Sequence, residues 1–110
     1  MVQMFPVHLD GFSATAIQVA LPKTNLVMVT TEIGYIMCGA LDVQLLNEKL
    51  ADREIIAGRA VGVKTIEQLL YAPLESVTHK AKEFGIVKGM LGREAVKRMI
   101  EVEKGLQAQK

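Results

Sequence analysis

The sequence predicts an α/β fold, with α+β as its variant, formed by one domain over residues 1–110. Three observations carry this. The first forty residues alternate with period two and are rich in β-branched side chains. From Leu41 the apolar period becomes helical. Between Ile55 and Val63 strand character returns, which makes Tyr35–Cys38, the helix and Ile55–Val63 a strand–helix–strand unit, expected to be parallel and right-handed.

Val2 to Leu9 is apolar with few helix signals, and Pro6 confines it to an edge or marks a break. Asp10-Gly11 is a hairpin pair. In the next strand Phe12, Ala14 and Ala16 fall on one face, whereas Ile17, Val19 and Leu21 fall on the other. Burial of both faces is expected in preference to a bulge. Pro22 to Asn25 supplies a turn, Leu26 to Thr31 a strand, and Glu32-Ile33-Gly34 the turn into Tyr35–Cys38. The result is an antiparallel meander.

Leu41, Leu45, Leu46 and Leu50 lie on one stripe of the first helix, with Asp42 placed to cap it. Thr65-Ile66-Glu67-Gln68 matches a capping box, and Pro73 closes the short helix it opens. Val77, Ala81 and Phe84 share a stripe on a third helix ended by Gly85. Arg93 to Leu106 forms a final amphipathic helix with Val96, Met99 and Ile100 inward and Glu94 spaced to pair with Arg98.

Half the residues are hydrophobic, only 5% are aromatic and there is no Trp, so the core is built from Val, Ile, Leu and Met. That composition excludes a disordered chain. No apolar stretch approaches the roughly 18–20 residues that span a bilayer. Met1 to Asp10 lacks a positively charged start and a small-residue cleavage site, so a secretory signal is not expected. Cys38, the single cysteine, has no internal disulfide partner, and a cytoplasmic location is expected. A net charge of +1 gives no reason to expect nucleic acid or an anionic membrane as partner.

The placement of charge says more than its sum. Of the 25 charged residues, 13 basic and 12 acidic, only Asp10, Lys23, Glu32 and Asp42 precede Asn47. A segment so poor in charge needs covering, and 110 residues leave little chain to cover it. Burial against other copies of itself is the economical solution, with residues 1–40 as the oligomerisation region and 41–110 as the α/β part.

Cys38 ends a predicted strand, Gly39 follows, and a helix begins within a few residues. A thiol so placed is a candidate nucleophile or redox group, activated by the helix N-terminus. Gly39 would let a ligand approach the backbone. In open sheets ligands gather beyond the C-terminal strand ends, which brings in Asp42, Arg59 and Thr65 as candidate ligand-binding residues. Thr65 would hold an anion with its helix, and Arg59 within a strand calls for a partner or a ligand. Against this, a lone Cys at a strand end more often packs as a small apolar residue. His8 and His79 are the only histidines, and His79 reads as a surface residue. Ser76 and His79 share a helix face but lack an orienting carboxylate. Cys38, His8 and His79 show no metal-ligand spacing, no phosphate-loop or dinucleotide pattern occurs, and the cofactor stays unknown. Three functions remain: an oligomeric small-ligand-binding protein, an enzyme using Cys38, and a scaffold subunit.

Six segments in order resemble the YunC-like family, a bacterial and archaeal domain of unknown function. They are Leu21–Asn25, Gly34–Val43, Leu46–Leu50, Ala57–Thr65, Ala72–Thr78 and Gly89–Ala95. The first twenty and last fifteen residues carry little of the likeness. The resemblance implies an α/β subunit whose N-terminal strands hold a homotetramer together. It implies no reaction, cofactor or catalytic residue.

Overall fold

The structure is a computed structural model that describes all residues except Asp10, Lys49, Leu50, Gln109 and Lys110. Six strands form one mixed sheet in sequence order: β1 (Val2–Leu9), β2 (Phe12–Leu21), β3 (Thr24–Thr30), β4 (Gly34–Met37), β5 (Ile56–Arg59) and β6 (Ser76–Val77). Helices α1 (Val43–Glu48), α2 (Ile66–Tyr71), α3 (His79–Glu83) and α4 (Gly92–Ala108) are joined to it, and a 3-10 turn at Ala51–Arg53 precedes β5. Only β4 and β5 pair in parallel; every other neighbour pair is antiparallel. The fold is therefore α+β, a meander ending in one strand–helix–strand unit.

Pro6 sits on the outer strand, where its missing N–H removes no interior ladder bond. The β1–β2 register runs unbroken from Leu9 opposite Phe12 to Val2 opposite Val19. No bulge shifts the phase, so the two apolar sets of β2 do face opposite ways. The β2–β3 turn is tighter than expected: Leu21 pairs with Thr24, and Lys23 adopts φ 65° between them. The Asp10 half of the first turn and Leu50 of the helical stripe lie outside the described residues.

One sheet face carries the core. Ala14, Ala16, Val27, Val29, Ile36 and Cys38 line it, and α2 and α4 pack over it with Leu69, Val96 and Met99. Gly92 lets the start of α4 approach α2: an added Cβ would lie 2.2 Å from the Leu69 carbonyl oxygen and 2.9 Å from Ile36 Cδ1. Across the sheet, α1 and α3 pack beside β5, where Ala57 is buried on the face opposite Gly58.

Over β1 to β3 that second face is open. Val2 and Met4 are 63% and 67% exposed. Ile17, Val19, Leu26 and Met28 beside them are partly exposed. The expected burial of both faces is thus met on one face only, because a single chain has no second layer to lay over the other.

Four further expectations change. The strand expected over Ile55–Val63 ends at Arg59, and the chain turns at Gly62 with φ 75°. Val77 belongs to β6, so the third helix starts only at His79, capped by Thr78. In α1 Val43 is buried, whereas Leu45 is exposed, because a six-residue helix lying beside β5 buries only its first turn. Arg98 pairs with Glu101 at 3.7 Å and donates to the Phe84 carbonyl at 2.7 Å, leaving Glu94 to Arg93.

Candidate functional site

Beyond the C-terminal ends of β4 and β5 lies an open cavity of about 860 Å³. Its position follows from the local sequence. Parallel strands need a crossover, and the segment leaving β4 must rise away from the sheet edge before α1 can return. Cys38-Gly39-Ala40-Leu41 makes that departure in a turn, with Leu41 N–H donating to the Cys38 carbonyl at 3.1 Å. Asp42 then caps α1, its Oδ1 accepting from Leu45 N–H at 3.0 Å.

Arg59 forms the floor. It is the last residue of β5 and alternates away from the core face. Its Nε and Nη2 donate to the Gly39 carbonyl at 3.2 and 3.1 Å, and its Nη1 pairs with the Glu75 carboxylate. The intrastrand charge thus has its partners within the same chain. Gly39 lies against it: a Cβ there would meet Arg59 Nη2 at 3.7 Å.

One wall is α1 and the turn before it, with Asp42, Gln44 and Glu48. Gln44 donates to Glu48 at 3.2 Å. The facing wall is α3 and the loop after it, with His79, Lys82 and Lys88. Asn47 ties the two walls together, its Oδ1 accepting from His79 N–H at 2.9 Å. Ser76 of β6 closes the end near the floor.

Among the sequence candidates, Gly39, Asp42 and Arg59 come together around this cavity. Thr65 does not line it; its hydroxyl accepts from Gln68 N–H at 3.1 Å, while the Gln68 side chain reaches back to Lys64 N–H at 2.8 Å. That is a capping box displaced by one residue, and it occupies the hydroxyl expected for an anion. Cys38 is 5% exposed and faces the core with Ile36, behind the cavity rather than on its wall. His79 is exposed as expected, yet it belongs to the cavity. His8 bonds to Ser13 at 3.0 Å on the far hairpin.

The residues that sequence reasoning missed are Glu48, Glu75, Lys82 and Lys88. Glu75 and Ser76 lie at a two-residue strand, too short for any periodicity, and the lysines read as ordinary solvated charge. Among the described residues no three His, Cys, Asp or Glu side chains cluster as metal ligands. The displaced titration lies elsewhere: Glu103 is pushed above the usual carboxylate range, first by a hydrogen bond with Glu32, then by burial and the Glu32 charge.

The fold and the cleft define an α+β domain built on a mixed sheet with a cavity at the end of its parallel pair. The chain belongs to the family described as domain of unknown function DUF1805, whose model matches residues 37–99. It is 59% identical over 101 residues to the uncharacterized protein YunC of Bacillus subtilis (strain 168), covering 92% of this chain and all of that one. The crystal structure of TA1206, a protein of unknown function from Thermoplasma acidophilum, superposes with a TM-score of 0.78 at 28% identity, covering 89% of this chain and 92% of that one.

Proposed function

We propose that this protein is a self-associating, cytoplasmic small-ligand-binding protein whose ligand site is the cavity at the ends of β4 and β5. The observation that carries the reading is the cavity itself. Its volume of about 860 Å³ falls within the usual range for small-molecule sites. It opens where parallel strands end, the place where sheets of this kind receive ligands. Its walls supply both carboxylates and ammonium groups, and its floor is braced by Arg59. The enclosure of Cys38 in the core argues for this reading over a Cys38 nucleophile, since a thiol must be reached before it reacts.

The test is a thermal-shift screen of metabolites against the wild type, Gln44→Trp and Arg59→Ala. Gln44 is an exposed residue of the α1 wall, so the indole projects into the cavity without entering the core. The expected result is a compound that raises the wild-type Tm and leaves both variants unmoved. Shifts that persist in both variants would move the site elsewhere.

Self-association, as a homotetramer or a smaller assembly, is supported by the open face of β1 to β3. Along it run Val2, Met4, Ile17, Val19, Leu26 and Met28, with no Asp, Glu, Lys or Arg on that face of the three strands. Apolar surface of this extent is rarely left in water. A second copy supplies the matching face at no cost in new sequence. Light scattering is expected to give a multiple of 12.1 kDa, and Ile17→Lys to reduce it to the single chain. A 12.1 kDa particle from the wild type at micromolar concentration overturns this part.

A further inference from the structure

Charge is divided between the two walls of the cavity, and this division specifies a ligand. Among the described residues, the α1 wall carries Asp42 and Glu48 and no cation. The α3 wall carries Lys82 and Lys88, with His79 beside them, and no carboxylate: the acid of α3, Glu83, is turned to Lys80 at 3.5 Å and does not line the cavity. Between the walls the Arg59–Glu75 pair neutralises itself. Lys82 and Lys88 have no ion-pair partner among the described residues.

Two charged walls across an open space attract each other through water only weakly, and a molecule bearing both charges replaces that water with direct contacts to each. A simple anion would satisfy one wall and meet the carboxylates of the other. A simple cation faces the converse repulsion. We infer that the ligand is a zwitterion with its charges at opposite ends, the chemistry of a di- or tripeptide with a free ammonium and a free carboxylate. The ammonium lies toward Asp42 and Glu48, and the carboxylate toward Lys82 and Lys88. The cavity, at about 860 Å³, is larger than a single amino acid fills. This inference rests on the cavity being the ligand site.

The test is titration calorimetry with trialanine, its N-acetyl form and its C-terminal amide. Trialanine is expected to bind, and each blocked form to bind about tenfold more weakly, the usual scale for losing a charged hydrogen bond. Lys82→Gln with Lys88→Gln is expected to weaken trialanine by a similar factor while leaving the amide unchanged. Glu48→Gln is expected to weaken trialanine and leave the N-acetyl form unchanged. Those cross-insensitivities distinguish contact with a terminus from general damage to the fold. Equal binding of all three peptides overturns the zwitterion and keeps the cavity as a ligand site. No binding of any peptide also overturns it, and the metabolite screen with Gln44→Trp then decides separately whether the cavity takes a ligand at all.

Discussion

The Arg59 guanidinium holds the Gly39 carbonyl with two of its nitrogens, at 3.2 and 3.1 Å, and so joins the ends of the two parallel strands across the floor of the cavity. The same residue meets Glu75 twice, through the side chains and through Glu75 N–H donating to the Arg59 carbonyl at 2.7 Å. Three segments far apart in sequence are thus set around one side chain.

Arg59→Ala removes that brace. Because both side chains of the ion pair are partly exposed, the loss of stability is expected to be modest, about 1 kcal/mol. Arg59→Lys keeps a charge for Glu75 but has no planar fork to hold Gly39 as well. Both are expected to lower the urea midpoint with an unchanged m-value. An unaltered midpoint in Arg59→Ala would mean the brace contributes nothing.

Gly92→Ala tests the junction of α4 with α2. The added methyl would press on the Leu69 backbone, which no side-chain rotation relieves, and a loss of about 3 kcal/mol is expected. Gly105, near the other end of the same helix, has nothing within 4 Å of its would-be Cβ. There the same change is expected to stabilise by about 0.5 kcal/mol, through helix propensity alone. Thermal melts of the pair separate packing from propensity.

Thr78 is 2% exposed, and its hydroxyl serves three backbone groups. It donates to the Ile55 carbonyl at 2.6 Å and accepts from Ala57 N–H at 3.1 Å and Ala81 N–H at 3.3 Å. Thr78→Val keeps the shape and leaves those groups unpaired beside β5, for an expected loss of about 2–3 kcal/mol. Thr65→Ala, an exposed cap with one bond, is expected to cost about 1 kcal/mol. Denaturant titration should rank them in that order; the reverse order would remove Thr78 from the centre of the fold.

Cys38 is expected to resist alkylation in the native protein and to react once denaturant opens the core, since its side chain packs with Ile36 and its neighbours. Fast native labelling would show that the core opens locally at β4, and would return the thiol to consideration as a reacting group.

The N-terminal meander, the parallel pair, the caps at Asp42 and Thr65 and the buried stripe of α4 were legible in the sequence, and Pro6 left only an edge or a break for its strand. Each rests on local chemistry: pleat alternation, a missing N–H, a short oxygen before a helix, a 3.6-residue period. The poverty of charge before Asn47 likewise announced an apolar surface, and the chain does leave one sheet face open. What no local pattern held was which polar residues would meet. Ser76–Val77 is a strand only because β5 offers it an edge, and α1 lies where the crossover sets it down, so its leucine stripe does not decide which side is buried. The cavity between Asp42, Glu48, Lys82 and Lys88 exists because the walls are brought together by long-range pairing, with Arg59 and Asn47 as ties. Contacts between residues so far apart in the chain leave no periodic trace in a sequence, and only the closed tertiary structure decides them.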